Sequence, residues 1–155
     1  MTEDVEKINQ AVATAETFSN LYYKKLDNER HTIDKMYHEN ATMTWNGNPI
    51  EGIQNIQKFC LDNIPKTSTY VQSLGEFYFT ILNKWYSFTL IQLLYFFADA
   101  QPVHDSAVGG QTTVLVTVAG TVKYGHSQPV GFQQNFLITA KEAKWKVVTD
   151  TFRSQ

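Results

Sequence analysis

QTTVLVTVAGTVKYGHSQPVGFQQNFLITAKEAKWKVVTDTFR, residues 111–153, is the stretch that decides the fold. Residues 112–124 have a period of two that is typical of a half-buried strand: one parity holds Val114, Val116, Val118, Val122 and Tyr124, and the other holds Thr113, Thr117, Thr121 and Lys123. Two further strand patterns follow at 132–139 and 144–152, each after a short polar connection. This spacing predicts a three-stranded antiparallel meander. On its last strand, alternation predicts one shared face for Trp145, Val147, Thr149, Thr151 and Arg153.

The residues upstream of the meander predict helices that cover the sheet. A long first helix is indicated by apolar residues at spacings of three and four: Val5, Ile8, Val12, Ala15, Phe18, Leu21, Tyr22 and Leu26. A shorter helix at 28–38, a strand at 41–45 that ends in an Asn46-Gly47 turn, and a helix carrying Ile53, Ile56 and Cys60 follow. This order predicts an α+β domain with its helices on one side of the sheet.

Composition restricts the possible functions. The chain has 155 residues, enough for one domain, and a formal net charge of −2, so we expect no direct binding of nucleic acid. Cys60 is the only cysteine, which excludes an intrachain disulfide. The four histidines occur in none of the usual zinc-binding motifs, so we expect no metal site.

Residues 75–98 differ abruptly from the rest of the chain. This block holds nine of the 21 aromatic residues and only two charges, Glu76 and Lys84. Asn83, Lys84 and Gln92 interrupt its apolar run, which favours an insertion over a membrane-spanning helix, and we expect no membrane association. If residues 70–74 were joined directly to 99–103, they would form one extended strand.

Outside this block, the sequence resembles the nuclear transport factor 2 family, and most closely its small NTF2-related export proteins. The matching motifs are Phe18 with Leu21-Tyr22-Tyr23, Asp27 with Arg30, Met36-Tyr37, Ala41-Thr42, Trp45-Asn46-Gly47-Asn48, the segments 99–105, 111–116, 120–123 and 132–136, Trp145-Lys146-Val147, and Asp150 with Phe152-Arg153. The resemblance implies a cone, in which a bent antiparallel sheet wraps around the N-terminal helices.

Relatives run directly from the position of Leu74 to that of Asp99, so the resemblance implies one domain over 1–155 that the block at 75–98 interrupts. Gly75-Glu76-Phe77 can be encoded as GGT GAG TTT, which contains a splice donor. Residues 96–99 can be encoded as TTT TTT GCA GAT, a pyrimidine tract with a splice acceptor. We therefore hypothesise that the block is a retained intron of 72 nucleotides or a gene-model error, with a genuine insertion as the alternative.

The family includes carriers and enzymes, and particular positions separate them. Carriers of the GTPase Ran use acidic residues where this chain has Gly125-His126-Ser127 and Asn46, so Ran-GDP import is not favoured. Isomerase-like enzymes need a carboxylate where this chain has Trp45. Asp27, Asp99 and Asp150 are candidate acids, although capping, turn or surface roles are favoured over catalysis. We expect no catalytic residue and no cofactor. A small-molecule-binding or isomerase-like function of the cone's cavity is the alternative.

The resemblance to the small export proteins implies a non-enzymatic subunit. Such a subunit pairs sheet to sheet with the related domain of a large messenger-RNA export receptor. It shuttles between nucleus and cytoplasm through the nuclear pore and meets nucleoporins only indirectly. The motif match places Arg153 against an aspartate of the receptor, with a solvated terminal arginine as the alternative.

Four residues are candidates for binding that partner: Arg153, Thr151, Thr149 and Gln134, of which only Arg153 matches a family motif. Gln134 is included because residues 133–135 are three consecutive amides, which must place at least one side chain on each face of the sheet. Their polar groups would need hydrogen-bond partners, which a second subunit or a wet cavity could supply.

Overall fold

The computed structural model describes residues 2–71, 98–103 and 109–155. Its elements are helix α1 (Thr2–Asn28), a 3-10 helix (Arg30–Met36), strands β1 (Tyr37–Trp45) and β2 (Asn48–Glu51), helix α2 (Ile53–Asp62), and strands β3 (Thr67–Val71), β4 (Ala98–Val103), β5 (Thr113–Tyr124), β6 (Val130–Lys141) and β7 (Lys144–Ser154). This order confirms the α+β class and the predicted meander of β5, β6 and β7.

The seven strands form one sheet in the order β2-β1-β7-β6-β5-β3, and β4 also pairs with β5. Strands β1 and β7 are parallel, whereas the other pairs described are antiparallel. The sheet is therefore mixed rather than entirely antiparallel. Because 98 residues lie between the end of β1 at Trp45 and the start of β7 at Lys144, no hairpin turn sets the relative direction of these strands.

Helix α1 packs its apolar face against the concave side of the sheet. Its buried residues are Ala11, Ala15, Phe18, Ser19, Tyr22, Tyr23 and Leu26. Three members of the predicted stripe, Val5, Ile8 and Leu21, are instead about half exposed, at 53, 48 and 45%. Leu21 is exposed because, at about 100° per residue, it points about 120° away from the centre of the face that these buried residues form.

Aromatic rings fill the space between α1 and the sheet. The ring of Phe136 on β6 lies 5.1 Å from that of Phe18 and 4.7 Å from that of Tyr22. At the other end of the core, the rings of Trp45 and Phe152 are stacked, with centroids 3.7 Å apart. These contacts place Trp45 in the core, where it is 6% exposed.

A bulge in β7 changes which of its residues face the core. Ile138 pairs with Val147 and Leu137 with Thr149, so Val148 is an extra residue without a partner on β6. Val147 is buried on one side of the bulge, and Asp150 and Phe152 are buried on the other. The single shared face predicted for β7 is therefore wrong: the side chains of residues 149, 151 and 153 point away from the face on which Val147 lies.

Strands β3 and β4 lie end to end along β5. Val71 pairs with Gly120 and Ala98 pairs with Val118, which leaves one position between them, opposite Ala119. This arrangement agrees with the expectation that the segments around 70–74 and 99–103 belong to one extended strand. The predicted insertion at 75–98 lies outside the described residues, except for the backbone of Ala98. No helix within the three described ranges is long and apolar enough to cross a membrane.

Candidate functional site

The convex side of the sheet, turned away from α1, carries small polar and aliphatic side chains in three rows. The cross-strand register aligns Thr117, Asn135, Thr151 and Thr44 in the middle row; Leu115, Leu137, Thr149 and Thr42 in a second row; and Ala119, Gln133 and Arg153 in a third. We call these eleven residues the outer face. None of them is buried. The abundance of threonine follows from its preference for strands.

The outer face has little charge and some unused hydrogen-bonding capacity. Arg153 is the only ionisable residue among the eleven. Thr117 Oγ1 donates to Asn135 Oδ1 at 2.9 Å, and the amide nitrogen of Asn135 has no partner among the described residues. Leu115 is 37% exposed and pairs across the strands with Leu137, so the face also has an apolar patch.

Three of the four residues predicted to bind a partner lie together on this face. Thr149, Thr151 and Arg153 project at alternate positions of β7, beyond the bulge. Arg153 is exposed, and its guanidinium forms no hydrogen bond or ion pair within the described part of the chain. It is therefore available to a carboxylate from outside the chain.

Gln134 does not lie on this surface, which corrects the expectation for this residue. Its side chain is 0% exposed and points into the core. Strand alternation does divide the three amides between the two faces, but it turns Gln133 and Asn135 outward and Gln134 inward. The side-chain amide of Gln134 does need hydrogen-bond partners, and it finds them in the core.

Those partners belong to a buried network centred on Asp150. Asp150 Oδ2 accepts hydrogen bonds from the hydroxyls of Tyr37 at 2.6 Å and Tyr22 at 3.1 Å. Its Oδ1 accepts from Gln134 Nε2 at 2.7 Å, and Gln134 Oε1 accepts from the Tyr23 hydroxyl at 2.8 Å. The expected capping, turn or surface role is therefore wrong for Asp150, which is 0% exposed.

Burial dominates the electrostatics of this network. It raises the pKa of Asp150 to about 6, although the hydrogen bonds from Tyr37, Gln134 and Tyr22 act in the opposite direction. Burial and the nearby Asp150 charge also raise the pKa values of Tyr22, Tyr23 and Tyr37, so the three phenols stay neutral and can donate hydrogen bonds. Within the described residues, no cation forms a salt bridge with Asp150.

A raised carboxyl pKa beside phenols is a combination that enzymes use for proton transfer. A catalytic group must, however, come within hydrogen-bonding distance of its substrate. Asp150, Tyr22 and Gln134 are 0% exposed and Tyr37 is 1% exposed. A substrate cannot reach them unless the core opens, so this geometry indicates a structural role.

The other two candidate acids are Asp27 and Asp99. Asp27 Oδ2 accepts from the backbone nitrogen of Thr69 at 2.7 Å, and its Oδ1 accepts from Thr67 Oγ1 at 2.7 Å. This agrees with the non-catalytic role favoured for Asp27, which fastens the end of α1 to β3. The side chain of Asp99 lies outside the described residues. In the ranges 2–71, 98–103 and 109–155, no three His, Cys, Asp or Glu residues are placed to hold a metal ion.

The positions at which Ran carriers have acidic residues, Asn46 and the turn at 125–127, lie within the described part of the chain. Asn46 joins the β1–β2 turn to the end of β7: its Nδ2 donates to Ser154 Oγ at 3.1 Å, and its Oδ1 accepts from the Ser154 nitrogen at 2.8 Å. Gly125 and Ser127 belong to the turn between β5 and β6. None of these side chains carries a negative charge that could meet a lysine.

Comparison with known proteins gives a consistent result. Residues 14–154 match the model of the Nuclear transport factor 2 (NTF2) domain. NTF2-related export protein 2 of Homo sapiens is 34% identical over 152 residues, which cover 96% of this chain and 89% of that protein. Among solved structures, nuclear transport factor 2 from Cryptosporidium parvum has a TM-score of 0.68 at 18% identity, covering 96% of this chain and 95% of that one. The UBP3-associated protein BRE5 from yeast has a TM-score of 0.66 at 15% identity, covering 94% and 95%.

Proposed function

The chain belongs to the nuclear transport factor 2 domain family, and from this premise we propose that it is a non-enzymatic subunit in the nuclear export of messenger RNA. In this role it pairs with the related domain of a large export receptor. The human relative at 34% identity is an export protein by name. The observation that carries the proposal is the outer face, which has no buried residue, is nearly uncharged and has at one side Arg153, whose guanidinium has no partner among the described residues.

The composition of the outer face suits a sheet-to-sheet contact. Its threonines are short, so a second sheet can approach closely without ordering long side chains. The Leu115–Leu137 pair supplies apolar area, and the side-chain nitrogen of Asn135, which has no partner in the described part of the chain, supplies a hydrogen-bond donor. Protein interfaces commonly combine an apolar centre with polar groups that find partners across the contact.

Arg153 gives the proposed interface its specificity. A guanidinium can bind a carboxylate through two parallel hydrogen bonds, and this geometry fixes the orientation of the two subunits. Arg153 pairs with Gln133 across β6 and β7, and neither side chain is buried. We infer that the receptor domain places an aspartate or glutamate opposite this position.

The proposed heterodimer acts at the nuclear pore, where its two subunits have different contacts. The heterodimer shuttles between nucleus and cytoplasm, and contact with nucleoporins is made by the receptor. With a net charge of −2, the isolated subunit has no useful affinity for RNA at physiological salt. Ran binding is not favoured, since Asn46 and the turn at 125–127 offer no carboxylate.

The alternative is an enzyme or a small-molecule-binding protein that uses the interior of the cone. Its best support is the raised pKa of Asp150 beside Tyr37. Its weakness is that the interior position is closed by aromatic rings, because Trp45 stacks on Phe152 and Tyr22 contacts Phe136. A partner-binding subunit accounts for more of the described surface.

Co-expression with the NTF2-like domain of the export receptor tests the proposed function. The complex is analysed by size exclusion with light scattering, and we expect an equimolar heterodimer. A chain that stays monomeric beside the receptor domain, or that forms only homodimers in its presence, would overturn the proposal. A monomer that binds an apolar small molecule stoichiometrically would favour the alternative.

A further inference from the structure

A groove of about 610 Å³ lies between the exposed side of α1 and the start of β7. Its floor is formed by the apolar side chains of Phe18, Leu21, Met36 and Trp145. Four lysines line it as well: Lys25, Lys35, Lys144 and Lys146. We call this the α1 groove. It is a different surface from the outer face, because α1 covers the concave side of the sheet.

The α1 groove continues along the helix. A neighbouring cavity of about 500 Å³ shares Gln10, Thr14 and Trp145 with it and extends to Lys7 and Ile8. From Ile8 to Lys25 the helix rises by about 26 Å, at about 1.5 Å per residue. An extended peptide covers that length with about eight residues, at about 3.3 Å per residue.

The charge that lines the groove is mainly positive. Among the described residues, no aspartate or glutamate lines either cavity, although Glu29 lies beside Lys25 at one end. Lys25 is held by Thr32 Oγ1 at 2.8 Å and by Glu29 Oε2 at 3.5 Å, and Lys146 donates to the carbonyl oxygen of Lys35 at 2.5 Å. Lys35 and Lys144 are exposed, and their ammonium groups have no partner within the described residues.

We propose that the α1 groove binds an acidic peptide segment of a partner protein. Apolar side chains of the segment pack on Leu21 and Trp145, while its carboxylates lie between Lys35 and Lys144. The charge complementarity carries this assignment: in a chain of net charge −2, Lys35 and Lys144 stand exposed beside an apolar floor, with no acidic partner among the described residues. The volume is within the range of sites that bind small ligands and short peptides.

Single-stranded nucleic acid and an anionic membrane also carry negative charge, but the described residues favour them less than an acidic peptide. Single-stranded nucleic acid needs several accessible aromatic faces for stacking, and Trp145 is the one half-buried ring of the floor, since Phe18 is 4% exposed. An anionic membrane favours a convex face with exposed apolar side chains, whereas the apolar floor here is recessed between two elements.

The test uses two labelled ten-residue peptides that differ only in charge. In one, glutamates alternate with leucine and phenylalanine; in the other, lysines replace the glutamates. Fluorescence anisotropy of the labelled peptides measures their binding to the full chain. Vesicles of phosphatidylcholine with phosphatidylserine and an oligouridylate serve as the competing probes.

The matched variants are Lys35→Glu with Lys144→Glu in the groove and Lys58→Glu with Lys66→Glu outside it. Both pairs change the net charge equally and alter exposed lysines, so both should fold, which a thermal melt checks. We expect the acidic peptide to bind, the groove pair to weaken binding by about tenfold or more, and the outside pair to change it by less than about threefold.

Several results would overturn the proposal. The acidic peptide failing to bind is one, and equal binding of the basic peptide is another. Equal weakening by both pairs of variants would mean that net charge alone attracts the peptide. Binding of the vesicles or the oligouridylate in preference to the acidic peptide would assign the α1 groove to a membrane or to nucleic acid.

Discussion

The hydroxyl oxygen of Tyr37 lies 2.6 Å from Oδ2 of Asp150, and neither side chain is more than 1% exposed. This contact joins the first residue of β1 to β7 across 113 positions of sequence. It places a carboxylate at the centre of an otherwise apolar core. The stability of the domain should therefore respond to pH and to the loss of a single hydroxyl.

Asp150 gives stability a pH dependence of defined sign. Burial raises its pKa from an ordinary 3.8 to about 6, so between these values the folded chain binds a proton that the unfolded chain releases. The stabilising contribution of the protonated group is complete below about pH 4 and is lost as the pH rises through 6. The loss is on the order of 3 kcal/mol.

Urea unfolding of the wild type and Asp150→Asn between pH 4 and 7.5 measures this effect. The variant cannot titrate at this position, so the difference in free energy of unfolding between the two proteins should change by about 3 kcal/mol over that range. We expect most of the change between pH 4 and 6. If the free energies of unfolding of the two proteins changed in parallel with pH, the pH dependence could not be assigned to Asp150.

Tyr37→Phe removes the shortest hydrogen bond to the carboxylate. A hydrogen bond to a charged group contributes about 1.5–3 kcal/mol, and one between neutral groups contributes about 1 kcal/mol. We therefore expect a larger loss of stability at pH 7.5, where Asp150 is ionised, than at pH 4.5, where it is protonated.

Tyr124→Phe is the matched control for this variant. Its hydroxyl makes only a 3.4 Å contact with Ser154 Oγ and is half-buried, so the loss should stay within about 0.5 kcal/mol at both pH values. Chemical unfolding of the two variants at each pH provides the comparison. If both lose the same stability, the Tyr37 hydroxyl has no special role.

The strands of the meander and the position of α1 could be predicted from the sequence because their apolar periods are long and regular. The face of β7 could not, because Val148 forms a bulge and nothing in Val147-Val148-Thr149-Asp150 marks where alternation reverses. The burial of Asp150 was missed for the same reason. A charged residue of unknown parity is assigned to the surface by default.

The polar network illustrates a second limit. Alternation shows that residues 133–135 must divide between the two faces, but not which amide turns inward. Similarly, the partner of the Tyr37 hydroxyl depends on the parallel pairing of β1 with β7. Contacts between residues so far apart in sequence have no local signal. The exposed Arg153 was found only through a family motif.

Deleting residues 75–98 should leave a folded and more soluble protein. After this deletion, Gln72, Ser73 and Leu74 connect Val71 to Asp99, and β5 offers two places for them, opposite Ala119 and Val118. One residue must therefore bulge, which antiparallel strands tolerate. Deleting 74–98 fits the register without a bulge. A shorter connection also costs less closure entropy, by at most a few kcal/mol.

Thermal melting and size exclusion compare both deletions with the full chain, each beside the receptor domain. We expect melting temperatures no lower than that of the full chain, less aggregation and stronger partner binding. Unfolding or loss of the partner in both deletions would show that the block is native structure. Sequencing the spliced transcript tests the retained-intron hypothesis separately, and an abundant message that contains the block would contradict it.

The middle row of the outer face should tolerate a charge in the isolated chain but not in the complex. Thr151 is flanked by Asn135 and Thr44, and Thr151→Lys adds a long cation there. The stability of the chain should change by no more than about 0.5 kcal/mol, since the site is not buried. Binding to the receptor domain should weaken by about 2 kcal/mol or more, because a buried charge would lack a partner.

Gln54→Lys makes the same change of charge on the exposed side of α2 and serves as the control. It should bind the receptor domain with wild-type affinity. Titration calorimetry measures both variants. Equal affinities for Thr151→Lys and Gln54→Lys would place the interface elsewhere on the molecule.

The proposed heterodimer depends most directly on Arg153, and calorimetric titration of the chain with the NTF2-like domain of the export receptor measures this dependence. We expect 1:1 binding by the wild type. Arg153→Ala should weaken it by roughly 2–5 kcal/mol without loss of fold, since the partner's carboxylate is left buried and unpaired. Arg153→Lys should recover only part of the affinity, because an ammonium lacks the bidentate geometry. Unchanged affinity in Arg153→Ala would contradict the proposed role of Arg153, and no binding by the wild type would contradict the proposed heterodimer.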